Sequence, residues 1–177
     1  GHYNVATAIR LGNRLYDESK INWFEEPCPP ESFEALRSVR QQLRAPMCLG
    51  ERLFTRWDYA RILHEGLTDF IMPDVTWTGG ISELKKIATM AETYYIPISP
   101  HNAQGPGQIL GGAHVSMSTP NFYRLEHALD FKPAYDRYMV EPFNWQENKL
   151  VLNGKPGLGT DLNMDAVRAD LHPDWVV

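Results

Sequence analysis

The sequence predicts an α/β protein with a parallel sheet, and more closely about five βα units from a (β/α) barrel of the TIM type. Three observations point there. Five short apolar runs each end in an acidic or imidazole group, those groups recur at near-constant intervals, and the stretches between them change to helical periodicity.

The five runs are Ile21-Asn22-Trp23-Phe24-Glu25-Glu26, Met47-Cys48-Leu49-Gly50-Glu51, Phe70-Ile71-Met72-Pro73-Asp74, Ile96-Pro97-Ile98-Ser99-Pro100-His101 and Phe122-Tyr123-Arg124-Leu125-Glu126-His127. Their terminal groups fall at 25, 51, 74, 101 and 126. Ahead of the first run, Asn4 is placed to cap a helix through Tyr16. Between the runs, Phe33, Leu36, Val39 and Leu43 share one helical face, and Ile81, Leu84, Ala88, Ala91 and Tyr95 share another. Thr55 and Asp58 have the spacing of a capping box before a helix through Leu63.

Strands alternating with helices of this length imply parallel pairing, and continuous apolar strands imply burial on both faces. An open doubly wound sheet calls for a glycine-rich phosphate turn after its first strand, whereas Glu25-Glu26-Pro27-Cys28-Pro29-Pro30 is acidic and stiffened by proline. The barrel is the better fit. A complete barrel takes about 250 residues with its site at the C-terminal strand ends, so five units and a helical start predict the C-terminal portion of a longer enzyme. The open edges of a partial barrel argue against independent folding. After the fifth unit, Tyr138 to Leu152 and Asn153-Gly154-Lys155-Pro156-Gly157-Leu158-Gly159 read as an extended, turn-rich tail, with a short helix near Met164 to Leu171.

Composition removes several function classes. A chain that is 43% hydrophobic and 22% charged is an ordinary globular one, and no apolar run approaches the roughly 20 residues of a membrane helix. A net charge of -5 without a Lys/Arg run gives no footprint for nucleic acid. Cys28 and Cys48 build neither a disulfide framework nor a zinc spacing, and are read as free thiols of a cytoplasmic protein.

Glu25 and Glu51 end adjacent strands, so their carboxylates converge above the barrel mouth. A hard divalent cation relieves that repulsion, and an all-oxygen set suits Mg2+. The competing reading pairs each glutamate with an arginine, such as Glu51 with Arg52 or Arg56. His101 stands two strands beyond Glu51, and Asp74 ends the strand between; an Asp there accepts the imidazole's ring proton and raises its basicity, as a general base requires. Glu126 is expected to contact the side of the site away from His101, to hydrogen-bond a bound carboxylate if protonated or to pair with His127. His64 closes a helix, His114 reads as a core residue, and His2 sits where it can reach the mouth.

Trp23-Phe24-Glu25-Glu26-Pro27, Gly50-Glu51-Arg52, Met72-Pro73-Asp74 with Gly79-Gly80, Pro100-His101-Asn102 and Leu125-Glu126-His127 together resemble the mandelate racemase branch of the enolase superfamily. The resemblance implies a modified (β/α) barrel with an N-terminal capping domain, of which the capping domain and the first strands are expected to lie outside this sequence. Residues 1–130 would be units four to eight with the preceding helix, and 131–177 a tail packing back on the barrel or the capping domain. It also implies Mg2+ held by Glu25, Glu51 and a third carboxylate from just before Gly1, a His101–Asp74 base pair, and Glu126 from the last strand. Gly50-Glu51-Arg52-Leu53-Phe54-Thr55-Arg56 and Gly157-Leu158-Gly159 resemble sugar-acid dehydratases of the galactonate type, which give a 2-keto-3-deoxy acid. Arg52, Trp77, Asn102, His127 and His2 are then the candidates for substrate contact, and a homo-oligomer is expected. A racemase or epimerase of the same branch, and a non-catalytic fragment, stay open; a metal-dependent hydrolase fits less well, because the set is rich in carboxylate rather than histidine.

Overall fold

The computed structural model describes residues 1–174 and consists of parallel strands alternating with helices, followed by a structured tail. Helix α1 (Val5–Ser19) starts where Asn4 accepts the Thr7 N–H at 2.9 Å. Strand β1 (Phe24–Glu25), α2 (Phe33–Gln42), β2 (Met47–Leu49), α3 (Arg56–His64), β3 (Phe70–Ile71), α4 (Ile81–Glu92) and α5 (Pro106–Met117) follow. The Asp58 carboxylate turns back to accept the Thr55 N–H at 3.1 Å, securing the first turn of α3.

β1, β2 and β3 pair in parallel in chain order, with Phe24 opposite Met47 and Cys48 opposite Phe70. Single parallel bridges then join Ile71 to Ile98, Asp74 to His101, and Ile98 to Phe122. The five apolar runs therefore lie side by side as expected, but the last two are held by bridges rather than ladders. Pro73, Pro97 and Pro100 lack the N–H that a continuous ladder needs.

The outer face of this sheet carries Met47, Leu49, Ile71 and Ile98, all fully buried. They pack against Leu36 and Val39 of α2, Tyr59, Ile62 and Leu63 of α3, and Ile87, Ala88 and Ala91 of α4. On the inner face, Trp23, Phe70 and Tyr123 form a three-way aromatic contact, with centroids 5.2, 5.4 and 6.1 Å apart. Trp23 precedes β1 and Tyr123 lies in the fifth segment, four strand steps away, which is about 19 Å in a flat sheet. The sheet is therefore rolled, and the side chains at its inner strand ends converge.

Two helical expectations change. Tyr95 is not on the buried face of α4: the helix ends at Glu92, Tyr95 takes a left-handed φ of 56°, and it is almost wholly exposed. Ile81, at the first position of α4, is also half exposed.

The tail is less extended than its composition suggests. After a 3-10 turn (Leu129–Phe131), α6 (Lys132–Tyr138) forms with Pro133 in its first turn, where a missing N–H costs nothing. Tyr135, Met139 and Phe143 bury against Ile109 and Leu110 of α5. A hairpin of β4 (Trp145–Gln146) and β5 (Lys149–Leu150) turns through Glu147 and Asn148, both at positive φ. Helix α7 (Met164–Ala169) is capped by Asn163 and stops short of Leu171. Cys28 and Cys48 are free and buried, and among the described residues no helix is long and apolar enough to cross a membrane.

Gly50 sets the position of Glu51. Its N–H donates to Glu26 Oε1 at 2.7 Å and its carbonyl accepts the buried Tyr59 hydroxyl at 2.6 Å. It sits at φ +141°, and a Cβ there would stand 2.9 Å from Met72 N and 3.0 Å from the Tyr59 oxygen. Gly50→Ala in the intact protein is expected to lower the unfolding free energy by about 1–3 kcal/mol, read by urea denaturation. Gly66, at φ +63° with open space around it, serves as the control for backbone strain without a clash. Equal losses at the two positions would contradict the steric argument.

Candidate active site

Asp74 is fully buried three residues beyond the β3 ladder, and both its oxygens are occupied. Oδ1 accepts the Thr76 N–H at 2.7 Å, the Thr76 hydroxyl at 2.6 Å and the Trp77 N–H at 3.2 Å. Oδ2 accepts from Gln108 Nε2 and faces His101 Nδ1 at 2.8 Å. Burial pushes this carboxyl's pKa up, but the hydrogen bonds from His101 and Thr76 outweigh it and hold it below the ordinary aspartate value. The ionised carboxylate accepts only, so the proton between the pair belongs to Nδ1, and Nε2 is left facing the strand ends.

That Nε2 lies 3.3 Å from Glu51 Oε2 and 3.7 Å from Glu126 Oε2. Burial lowers the imidazole's pKa, while the Asp74 hydrogen bond and the charges of Glu126, Asp74 and Glu51 raise it, and the net shift is upward. Glu126 Oε2 is held by the Asn102 N–H at 2.9 Å. Glu25 accepts the Trp23 indole N–H at 3.1 Å. Burial pushes the Glu25 carboxyl above its usual range, Trp23 pulls it back, and the charges of Glu126 and Glu51 add to the upward push. The five strand-end groups expected from the sequence are thus brought to one place, with one correction: Glu126, expected on the side away from His101, faces its Nε2 because the sheet is rolled.

The structure bears on the cation in two ways. Among the described residues, Glu25, Glu51 and Glu126 have no ion pair with lysine or arginine: Arg52 pairs with Glu31 at 3.0 Å and Arg56 with Glu83 at 2.7 Å. Three crowded carboxylates facing one imidazole are short of positive charge, and oxygen donors of this kind fit a hard divalent ion. Yet among the described residues no three of His, Cys, Asp and Glu close into a metal-holding group. Glu25 and Glu51 fit as part of a ligand set, not as the whole of one.

The remaining candidates divide. Asn102 is buried beside Glu126. Trp77 is half exposed and stacks on Phe54, centroids 5.8 Å apart, in the loops that follow Asp74 and Glu51. Arg52 turns to Glu31 and to the Gly1 carbonyl. His127 does not pair with Glu126; its ring stacks on Trp145 with centroids 4.4 Å apart. His2 is exposed ahead of α1, and His64 is the last residue of α3.

Three residues of the site were not singled out in the sequence. Gln108 was detectable as the one amide in the apolar run of α5, and Thr76 as the third residue of an Asp-x-Thr turn. Glu26 is 2% exposed and turned away from Glu25 to hold Gly50; burial lifts its pKa to about 7.

Several known proteins are similar to this chain. The chain is 33% identical over 175 residues to D-xylonate dehydratase of Haloferax volcanii, covering 96% of this chain and 41% of that protein. It is 31% identical over 188 residues to D-gluconate dehydratase of Thermoproteus tenax, covering 100% of this chain and 38% of that one. A mandelate racemase/muconate lactonizing enzyme-like protein from Rubrobacter xylanophilus superposes with a TM-score of 0.90 at 34% identity, over 98% of this chain and 44% of that chain. The chain thus spans about two fifths of the length of these relatives. With the Enolase C-terminal domain-like model matching residues 1–166, the chain belongs to that family of the enolase superfamily, on the side that includes the sugar-acid dehydratases.

Proposed function

We propose that the protein is a Mg2+-dependent dehydratase of a sugar acid. The observation that carries this reading is His101 Nε2, kept free by the Nδ1 contact with Asp74 and facing Glu51 and Glu126 at the strand ends. It is supported by relatives named as sugar-acid dehydratases.

His101 takes the proton α to the substrate carboxylate at Nε2. The C–O bond to the β-hydroxyl then breaks, and the imidazolium returns its proton to the departing oxygen, so water leaves and the resulting enol tautomerises to a 2-keto-3-deoxy acid. Asp74 keeps the ring in one tautomer and one orientation through both transfers. Glu126, held by the Asn102 N–H, stands where it can hydrogen-bond the substrate. Trp77, stacked on Phe54 in the loops at the strand ends, can reach a substrate; Asn102 acts through its backbone N–H on Glu126, Arg52 is engaged by Glu31 and His127 by Trp145, and His2 is exposed ahead of α1. Glu25 and Glu51, together with a further oxygen ligand, would hold Mg2+, which when bound would supply the charge stabilisation that makes so weak an acid ionisable.

The same reading completes the fold and setting. The rolled sheet would continue into a closed (β/α) barrel of which residues 1–130 are units four to eight with the preceding helix, and the tail packs back on it through Tyr135, Met139 and Phe143. A cytoplasmic homo-oligomer acting on a small-molecule acid, with no nucleic-acid or membrane partner, is the working picture.

Screening the intact protein with Mg2+ against aldonic and aldaric acids is expected to yield a 2-keto acid from at least one, with activity lost on chelation and restored by Mg2+. His101→Asn is expected to lower kcat by about 10²–10⁴-fold and to abolish exchange of the α-hydrogen in deuterated water. Retained exchange would point to a different base and to racemisation. Asp74→Asn places an amide opposite Nδ1; its expected effect is on kcat far more than on KM, and an unchanged kcat would remove Asp74 from the mechanism.

A further inference from the structure

Eight buried side-chain nitrogen and oxygen atoms among the described residues have no hydrogen-bond partner in the protein, and five of them belong to one group. They are both amide atoms of Asn102, the Tyr135 hydroxyl, Nδ1 of His127 and Nε1 of Trp145. Four parts of the chain bring them together: the ends of the fourth and fifth extended segments, α6 and β4. The His127 ring lies 4.4 Å from that of Trp145 and 6.0 Å from that of Tyr135. Asn102 stands beside the Tyr135 hydroxyl without closing a bond of good geometry to it, and Glu126 is near enough for its charge to act on the same phenol.

A buried polar group left unpaired costs about 1–3 kcal/mol, and native proteins satisfy such groups with protein atoms or ordered water. The other three atoms, on Glu26, His114 and Asn121, are scattered through the chain. The five instead belong to four side chains linked one to the next, Asn102 to Tyr135 to His127 to Trp145. The group is also chemically mixed: Trp145 only donates, Tyr135 donates and accepts, and Asn102 does both through separate atoms. Burial lowers the pKa of His127, which favours the neutral ring with one nitrogen of each kind. A neutral set of donors and acceptors suits water, which needs two to four such partners, rather than an ion.

We propose that Asn102, Tyr135, His127 and Trp145 bind ordered water on the tail side of Glu126, and that Tyr135, through this water and Asn102, is a positioning residue for the Glu126 carboxylate. The tail then takes part in the site without touching substrate. The catalytic consequence rests on the dehydratase reading; the water site and the placement of Glu126 do not.

The test is a crystal structure of the intact protein at a resolution that shows ordered water, beside the Tyr135→Phe variant, which keeps the ring and removes the hydroxyl. We expect a water within hydrogen-bond distance of both Asn102 and Tyr135 in the parent. In the variant that water is lost, Glu126 departs from its contact with the Asn102 N–H, and kcat falls about tenfold with KM unchanged. Trp145→Phe provides a second variant, expected to remove a bridging water while keeping the stack on His127. A direct Asn102–Tyr135 hydrogen bond with no water, or an unmoved Glu126 in Tyr135→Phe, would overturn the proposal. If no sugar acid is turned over, the dehydratase reading fails while the crystallographic outcomes still decide this one.

Discussion

A fully buried carboxylate stays ionised only where donors replace the water it has lost, and at Asp74 five donors do so. Three come from the turn after β3, one from α5 and one from the imidazole of the next extended segment. The arrangement ties three successive parts of the chain to a single side chain. It also leaves His101 with one ring nitrogen engaged and the other directed at Glu51 and Glu126. Without Asp74 the ring would have neither a fixed orientation nor a defined tautomer, and the turn would lose its internal acceptor.

The second constraint is geometric. Rolling the sheet, visible in the Trp23–Phe70–Tyr123 contact, turns strand-end groups some 25 residues apart in sequence into neighbours. Close approach of carboxylates is unfavourable, and the nearby arginines do not relieve it, being committed to Glu31 and Glu83. The fold holds an excess of negative charge at its inner strand ends against its own repulsion. Gly50, pinned from both sides, fixes the position of Glu51 in this crowd.

Much of this was legible from spacing. Groups at 25, 51, 74, 101 and 126 marked the strand ends because a parallel βα repeat makes sequence period and spatial adjacency the same thing, and the Asp74–His101 pair followed from strand order. What spacing could not show was the partner of a long side chain. Arg52 is adjacent to Glu51 in sequence, yet its guanidinium reaches Glu31; His127 is adjacent to Glu126, yet stacks on Trp145. Helix α6 was hidden because its stability comes from burying Tyr135 against α5, a tertiary effect absent from local pattern. Tyr95 was misplaced because helical periodicity runs on past a helix end unless a left-handed residue is recognised, and tyrosine is not the usual choice there.

The account depends on Glu25 and Glu51 acting as oxygen ligands beside a free imidazole. A crystal structure of the intact protein grown with Mg2+ tests this most directly. The account predicts an ion with oxygens of Glu25 and Glu51 at about 2.0–2.1 Å, and His101 Nε2 outside its coordination sphere with the Asp74 contact intact. An ion bound elsewhere, or these two carboxylates neutralised by lysine or arginine from the rest of the protein, would contradict it.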